Sequence, residues 1–145
     1  MPTSLILNSL LQLAGISMIC LAFGHAAFDK LLNWTEDLSK LTAINRQIFV
    51  VHTVFVATGI LMLGLVCLFF SGALVAKSLL GLVANASFAM CWLSRLVCQF
   101  FVFKAPYCSN KRLEILLRVS STLLWIFYTA LFAAVFLYQL GAIGN

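Results

Sequence analysis

The chain has 145 residues, of which 63% are hydrophobic and only 9% are charged, and its formal net charge is +5. A soluble domain carries about 25% charged residues and roughly half apolar ones. This composition therefore excludes an ordinary soluble domain and indicates that lipid surrounds most of the chain. The positive charges lie in short segments beside apolar runs and form no basic stripe with interleaved aromatic residues, which argues against a nucleic-acid partner.

Apolar stretches cover residues 4–28, 48–70, 74–103 and 113–140. Each meets the roughly 20 residues that a helix needs to cross a hydrocarbon core about 30 Å thick, and the longer third and fourth stretches must tilt or extend past the interface. Continuous apolar runs argue against a β-barrel. The first stretch has no basic residue before Lys30 and is too long for a signal peptide, so we expect a retained helix. The sequence predicts an all-α integral membrane protein, a four-transmembrane-helix bundle that forms a single domain over residues 1–145.

The connections between these stretches differ in character. Residues 71–73 predict a tight hairpin between the second and third spans, whereas the polar segment 29–47 has a pattern of its own. Asn33 is followed three residues later by Glu36, as in a capping box. Helical spacing then relates Trp34, Leu38 and Leu41. We expect a short interfacial amphipathic helix between the first two spans, with Trp34 at headgroup level.

Basic residues fall almost entirely at one end of the predicted bundle. Eight of the nine lie in the loops 29–47 and 104–112 or within the spans near that side: Lys30, Lys40, Arg46, Arg95, Lys104, Lys111, Arg112 and Arg118. Only Lys77 lies at the opposite end. The positive-inside rule makes the two loops cytoplasmic and both termini extracytoplasmic, in a plasma or inner membrane.

Polar residues inside a membrane are costly, so they are where a functional site is expected. Arg95 lies eight residues from the end of its apolar run, roughly 12 Å deep at 1.5 Å per residue. His52 is predicted at a depth similar to that of His25, on the neighbouring span. The candidate ligand-binding residues, all in the cytoplasmic half, are His25, Asp29, His52, Trp92, Arg95, Gln99 and Arg118. The outer half has no comparable polar layer in the sequence.

We favour a non-enzymatic accessory or binding subunit, whose polar layer holds a ligand such as an acidic lipid headgroup or contacts a partner protein. The alternative is a redox-associated protein that binds haem b or a quinone through His25, His52 and Arg95. The two histidines would be metal ligands only in the haem case, and the sequence specifies no other cofactor. We expect no enzyme, because no nucleophile with an adjacent base is evident in this layer.

Small residues within the spans permit close contact between helices. They are Gly15, Ala22, Ala26, Gly59, Gly64 and Ala89. Such residues serve packing within the bundle, contact with other membrane subunits or contact with a second copy of the chain, and the sequence does not distinguish these uses.

Overall fold

The computed structural model describes residues 3–27, 32, 34–106 and 110–143. All regular structure in those residues is helical, and four of the helices are long and apolar enough to cross a membrane. The described helices are α1 (Thr3–Gly24), α2 (Trp34–Ser39), α3 (Ala43–Phe69), α4 (Ser71–Val75), α5 (Leu79–Phe101) and α6 (Lys111–Gln139), and a short 3₁₀ turn, His25–Ala27, continues α1. The prediction of an all-α chain is confirmed, and α1, α3, α5 and α6 correspond to the four predicted spans.

The third predicted span, 74–103, is interrupted near its start. Ala76 and Ser78 are extended, with ψ angles of 139° and 152°, so α4 ends before them and α5 begins after them. The Ser78 hydroxyl oxygen accepts a hydrogen bond from the Gly81 N–H at 3.1 Å, which caps the start of α5. The prediction of a tight hairpin at 71–73 is wrong, because these residues belong to α4 and the chain reverses over α4 and the extended residues that follow it.

The short helix predicted within residues 29–47 corresponds to α2. The Trp34 ring meets the Phe49 ring edge to face, with 4.9 Å between the centroids. This contact anchors α2 to the first turns of α3, which begins at Ala43, before its apolar run. Asn33, the predicted cap, lies outside the described residues.

The four long helices form two antiparallel pairs, α1 with α3 and α5 with α6, and α4 lies between the pairs. The pairs are also joined directly, since the Ser17 hydroxyl on α1 and the Tyr128 hydroxyl on α6 are 2.8 Å apart and share a hydrogen bond. The largest fully buried side chains include Leu11, Met18, Cys67, Tyr128, Phe132 and Val135. Helix α6 supplies three of these six, so the core is centred on this helix.

The backbones of α1 and α3 touch where two glycines face each other. A Cβ atom on Gly15 would lie 2.7 Å from the Gly64 carbonyl oxygen and 2.8 Å from the Leu68 backbone nitrogen. A Cβ atom on Gly64 would lie 3.0 Å from the Gly15 carbonyl oxygen. For these two residues the close helix contact that the sequence suggested is confirmed, and it lies inside the chain.

We predict that Gly15→Ala destabilises the protein whereas Gly59→Ala does not. Alanine improves helix propensity at both positions by about 0.5–1 kcal/mol. At Gly15 the added methyl group meets backbone atoms that cannot rotate away, at a cost of about 1–3 kcal/mol, whereas a Cβ on Gly59 meets nothing within 4 Å. The check is the melting temperature of both variants in the same detergent, and equal melting temperatures would refute the tight α1–α3 crossing.

Candidate functional site

The structure brings four of the seven predicted site residues together. Trp92, Arg95 and Gln99 lie on one face of α5, and Arg118 lies on the facing part of α6. Phe103 and Ala105, which follow α5, contact the two arginines. We call residues 95–118 the basic hairpin. Asp29 lies outside the described residues.

The Arg95 guanidinium is held between two aromatic rings. It lies 4.7 Å from the centroid of the Phe103 ring and 5.0 Å from that of the Trp125 ring. Its Nη1 atom also donates to Gln99 Oε1 at 3.3 Å. Attraction between a cation and an aromatic face is worth about 0.5–2 kcal/mol and strengthens away from water. These contacts offset part of the cost of placing a charge inside an apolar helix pair.

A stacked pair of tryptophans lines the site towards the middle of the helix pair. Trp92 and Trp125 lie with 5.2 Å between their ring centroids and 15° between their planes, and the Tyr128 ring lies 4.6 Å from that of Trp92. Both indole N–H groups are buried and have no hydrogen-bond partner among the described residues. Trp92, one of the predicted site residues, therefore belongs to a packed aromatic wall that contains two unsatisfied donors.

Arg118 connects α6 to the segment that follows α5. Its Nη1 atom donates to the Phe103 carbonyl oxygen at 2.8 Å, and its Nη2 atom donates to the Ala105 carbonyl oxygen at 3.1 Å. The same Nη2 atom lies 3.0 Å from Glu114 Oε1, one turn earlier on α6. Because α5 ends at Phe101, the carbonyl groups of Phe103 and Ala105 have no helical partner, and Arg118 supplies the missing donors.

The two histidines have different surroundings, since His25 is half-buried and His52 is exposed. His25 Nδ1 hydrogen-bonds with the Leu21 carbonyl oxygen at 2.8 Å, one turn earlier on α1. The His52 side chain is exposed. Helix α3 has a half-buried stripe on the side where it packs against α1, and at about 100° per residue His52 lies roughly a quarter turn away from that stripe. That stripe comprises Phe49, Thr53, Ala57 and Ile60. This arrangement does not favour a pair of axial haem ligands, and the described residues contain no cluster of three metal-binding side chains.

A second polar cluster, absent from the sequence prediction, lies at the opposite end of α5 and α6. Asn85 Nδ2 donates to the Leu74 carbonyl oxygen at 2.8 Å and to Gln139 Oε1 at 3.2 Å. Gln139 Nε2 donates to the carbonyl oxygens of Leu74 and Ala76 at 2.8 and 2.7 Å. The expectation that this half lacks a comparable polar layer is therefore wrong. The signal in the sequence was Asn85, a polar residue within an apolar run. The structure shows that its side chain is fully buried.

The net charge is concentrated in the basic hairpin. Residues 29–46 carry three basic and three acidic side chains, whereas residues 95–118 carry five basic ones and only Glu114 as an acid. Within the first segment Lys40 Nζ lies 3.1 Å from Asp37 Oδ1 and 3.8 Å from Glu36 Oε1. The hydrogen bond to Asp37 and the charges of both carboxylates raise the pKa of Lys40. Charge is thus balanced around α2 and unbalanced at the hairpin.

No protein-family model, curated protein or solved structure matches this chain. No relative therefore supplies a ligand or a role for any residue of the basic hairpin. The seven residues, considered as a ligand site, stay a prediction, and the geometry above is the basis for a functional proposal.

We predict that Arg118→Gln loosens the segment after α5. The Phe103 and Lys104 amides donate to the carbonyl oxygens of Cys98 and Val102 at 3.1 and 2.9 Å. Hydrogen exchange at these two amides should accelerate about tenfold in the variant, which corresponds to a loss of roughly 1.4 kcal/mol. Arg46→Gln, which removes an exposed arginine from α3, is the control and should leave this exchange unchanged. Equal exchange in Arg118→Gln and the unmodified protein would mean that the arginine does not hold the segment.

Proposed function

We propose that this chain is a non-enzymatic integral membrane protein that crosses the bilayer four times and binds the headgroup of an anionic lipid at its basic hairpin. The observation that carries the proposal is the excess of positive charge at the hairpin.

The surface of the long helices supports insertion into lipid. Large apolar side chains are exposed on all of them, among them Phe23, Phe55, Leu80 and Leu123, with exposed fractions of 69%, 72%, 81% and 62%. A soluble monomer rarely exposes contiguous apolar surface of this extent. Lipid would cover these side chains, and the helical backbone satisfies its own polar groups within each span.

The distribution of basic residues supports the orientation. With four spans, both termini share one side, and the basic hairpin and the segment around α2 share the other. Cytoplasmic loops are enriched in lysine and arginine. We therefore place the basic hairpin at the cytoplasmic leaflet, where anionic lipids create a negative surface potential.

The exposed lysines and arginines of the hairpin support a headgroup as the ligand. Lys104, Lys111 and Arg112 are exposed, and no described acidic side chain forms an ion pair with them. Arg95 and Arg118 are already engaged by aromatic rings, carbonyl oxygens and Glu114, so they position the hairpin and the exposed residues meet the ligand. A phosphodiester headgroup matches these cations, each of which is worth about 1 kcal/mol near an anionic surface.

The orientation predicts which positions a membrane-impermeant thiol reagent reaches in intact cells. In a background whose five native cysteines are replaced by alanine, Lys77→Cys should be labelled from outside and Lys104→Cys only after the cells are lysed. The reverse pattern would overturn the orientation. Labelling of both positions from outside would overturn the four-span topology.

The ligand predicts a preference for anionic lipid that depends on the hairpin. In native mass spectrometry of the protein in a neutral detergent, Lys111→Gln/Arg112→Gln should bind phosphatidylglycerol at the hairpin about 25-fold more weakly than the unmodified protein does, or about fivefold for each charge removed. Lys40→Gln/Arg46→Gln, the matched control, removes two positive charges from the same end of the protein and should change the affinity less than about twofold.

Two results would contradict the lipid site. One is equal binding of phosphatidylglycerol and neutral phosphatidylcholine by the unmodified protein. The other is an equal loss of phosphatidylglycerol binding in both double variants, because that result would assign the attraction to overall charge and not to the hairpin.

A further inference from the structure

A cavity of about 320 Å³ opens at the end of the molecule opposite the basic hairpin. It lies where the first turns of α1, the segment after α4 and the last turn of α6 meet. Ser4 and Asn8 line it from α1, Lys77 from the extended segment and Tyr138 from α6. The cavity is largely open, so a bound molecule would extend beyond it along the protein surface.

The polar side chains that line this cavity take no part in the hydrogen bonds that hold the described residues together. The described residues offer no hydrogen-bond partner to the Ser4 hydroxyl, the Asn8 amide or the Tyr138 hydroxyl. In the adjacent cluster, by contrast, the Gln139 amide bonds to two carbonyl oxygens and to Asn85. Several donors therefore converge on one cavity without being used by the fold.

The charge of the cavity selects an anion. The Lys77 ammonium is held 5.2 Å from the centroid of the Tyr138 ring, and none of the lining residues is acidic. The four acidic residues of the chain, Asp29, Glu36, Asp37 and Glu114, all belong to segments at the opposite end. A cation with hydroxyl and amide donors around it matches a phosphate-type oxyanion.

The surroundings favour a lipid over a free ion. Leu5, one of the lining residues, is 51% exposed. Leu79 and Leu80, which come shortly after the lining residue Lys77 in the sequence, are 78% and 81% exposed. An anion bound beside Lys77 would therefore lie at the edge of an apolar surface. A lipid satisfies both halves of this environment at once, the headgroup in the cavity and an acyl chain along the leucines.

We infer that this cavity binds the phosphate headgroup of an anionic lipid of the outer leaflet. The inference rests on the four-span topology of the proposed function but not on the hairpin site. It adds a second, independent lipid site at the other face of the membrane, with Lys77 as its charged residue and Asn8 and Tyr138 as its neutral donors.

Native mass spectrometry with phosphatidylglycerol tests the inference through the number of tightly bound lipids. We expect two for the unmodified protein, whereas in Lys77→Gln the occupancy of the cavity should fall, because its affinity drops about fivefold with the loss of one charge. Lys77→Arg keeps the charge and should retain both lipids. Asn8→Leu should weaken the same site, whereas Gln12→Leu, an exposed position one turn further along α1, should not.

This experiment distinguishes loss of the cavity site from loss of the hairpin site. Lys111→Gln/Arg112→Gln should lose the hairpin lipid and keep the one that depends on Lys77. If Lys77→Gln and Asn8→Leu bind as much phosphatidylglycerol as the unmodified protein, the cavity is not a lipid site, whatever happens at the hairpin. Displacement of the Lys77-dependent lipid by inorganic phosphate would also overturn the inference, because the ligand would then be a free anion.

Discussion

The carbonyl groups that flank α5 impose the constraint on which the rest of this structure depends. A helix that ends near or inside lipid leaves carbonyl oxygens without partners, and the hydrocarbon core supplies no water to satisfy them. Helix α6 meets this need at both ends of α5. Arg118 donates to the carbonyl oxygens of Phe103 and Ala105, and Gln139 donates to those of Leu74 and Ala76. The two donors lie 21 residues apart on one helix, about 31 Å at 1.5 Å per residue, close to the roughly 30 Å thickness of a hydrocarbon core.

The other helix pair depends on contact between backbones, not on polar side chains. Gly15 and Gly64 bring α1 and α3 together, and the Ser17–Tyr128 hydrogen bond then joins α1 to α6. Helix α3 is the least enclosed of the four long helices, and only Gly64 and Cys67 are buried along its length. Helix α6 therefore contacts its partner α5 and also α1 of the other pair, whereas α3 is held chiefly by its crossing with α1.

The sequence was sufficient for the features that follow from hydropathy and spacing. Apolar runs located the four long helices, and the spacing of Trp34 and Leu38 located α2. The break before α5 could not be predicted in this way, because Ala76 and Ser78 lie in a stretch whose composition also suits a helix. The role of Gln139 depends on the carbonyl groups that this break exposes, so it could not be predicted either. The histidines illustrate a related limit, since a similar depth on neighbouring helices does not specify which way each side chain points.

Arg95 was the most conspicuous polar residue in the sequence, yet its contacts make it part of the scaffold. A guanidinium inside a span costs about 2.5–3.5 kcal/mol on insertion scales, and the Phe103 ring, the Trp125 ring and Gln99 surround it. A group held in this way has little freedom to turn towards a ligand. The proposed lipid binding is therefore better assigned to cations that the fold leaves exposed, Lys104, Lys111 and Arg112 at one face and Lys77 at the other. The half-buried Arg95 contributes indirectly, because it fixes the end of α5 from which the segment carrying Lys104 departs.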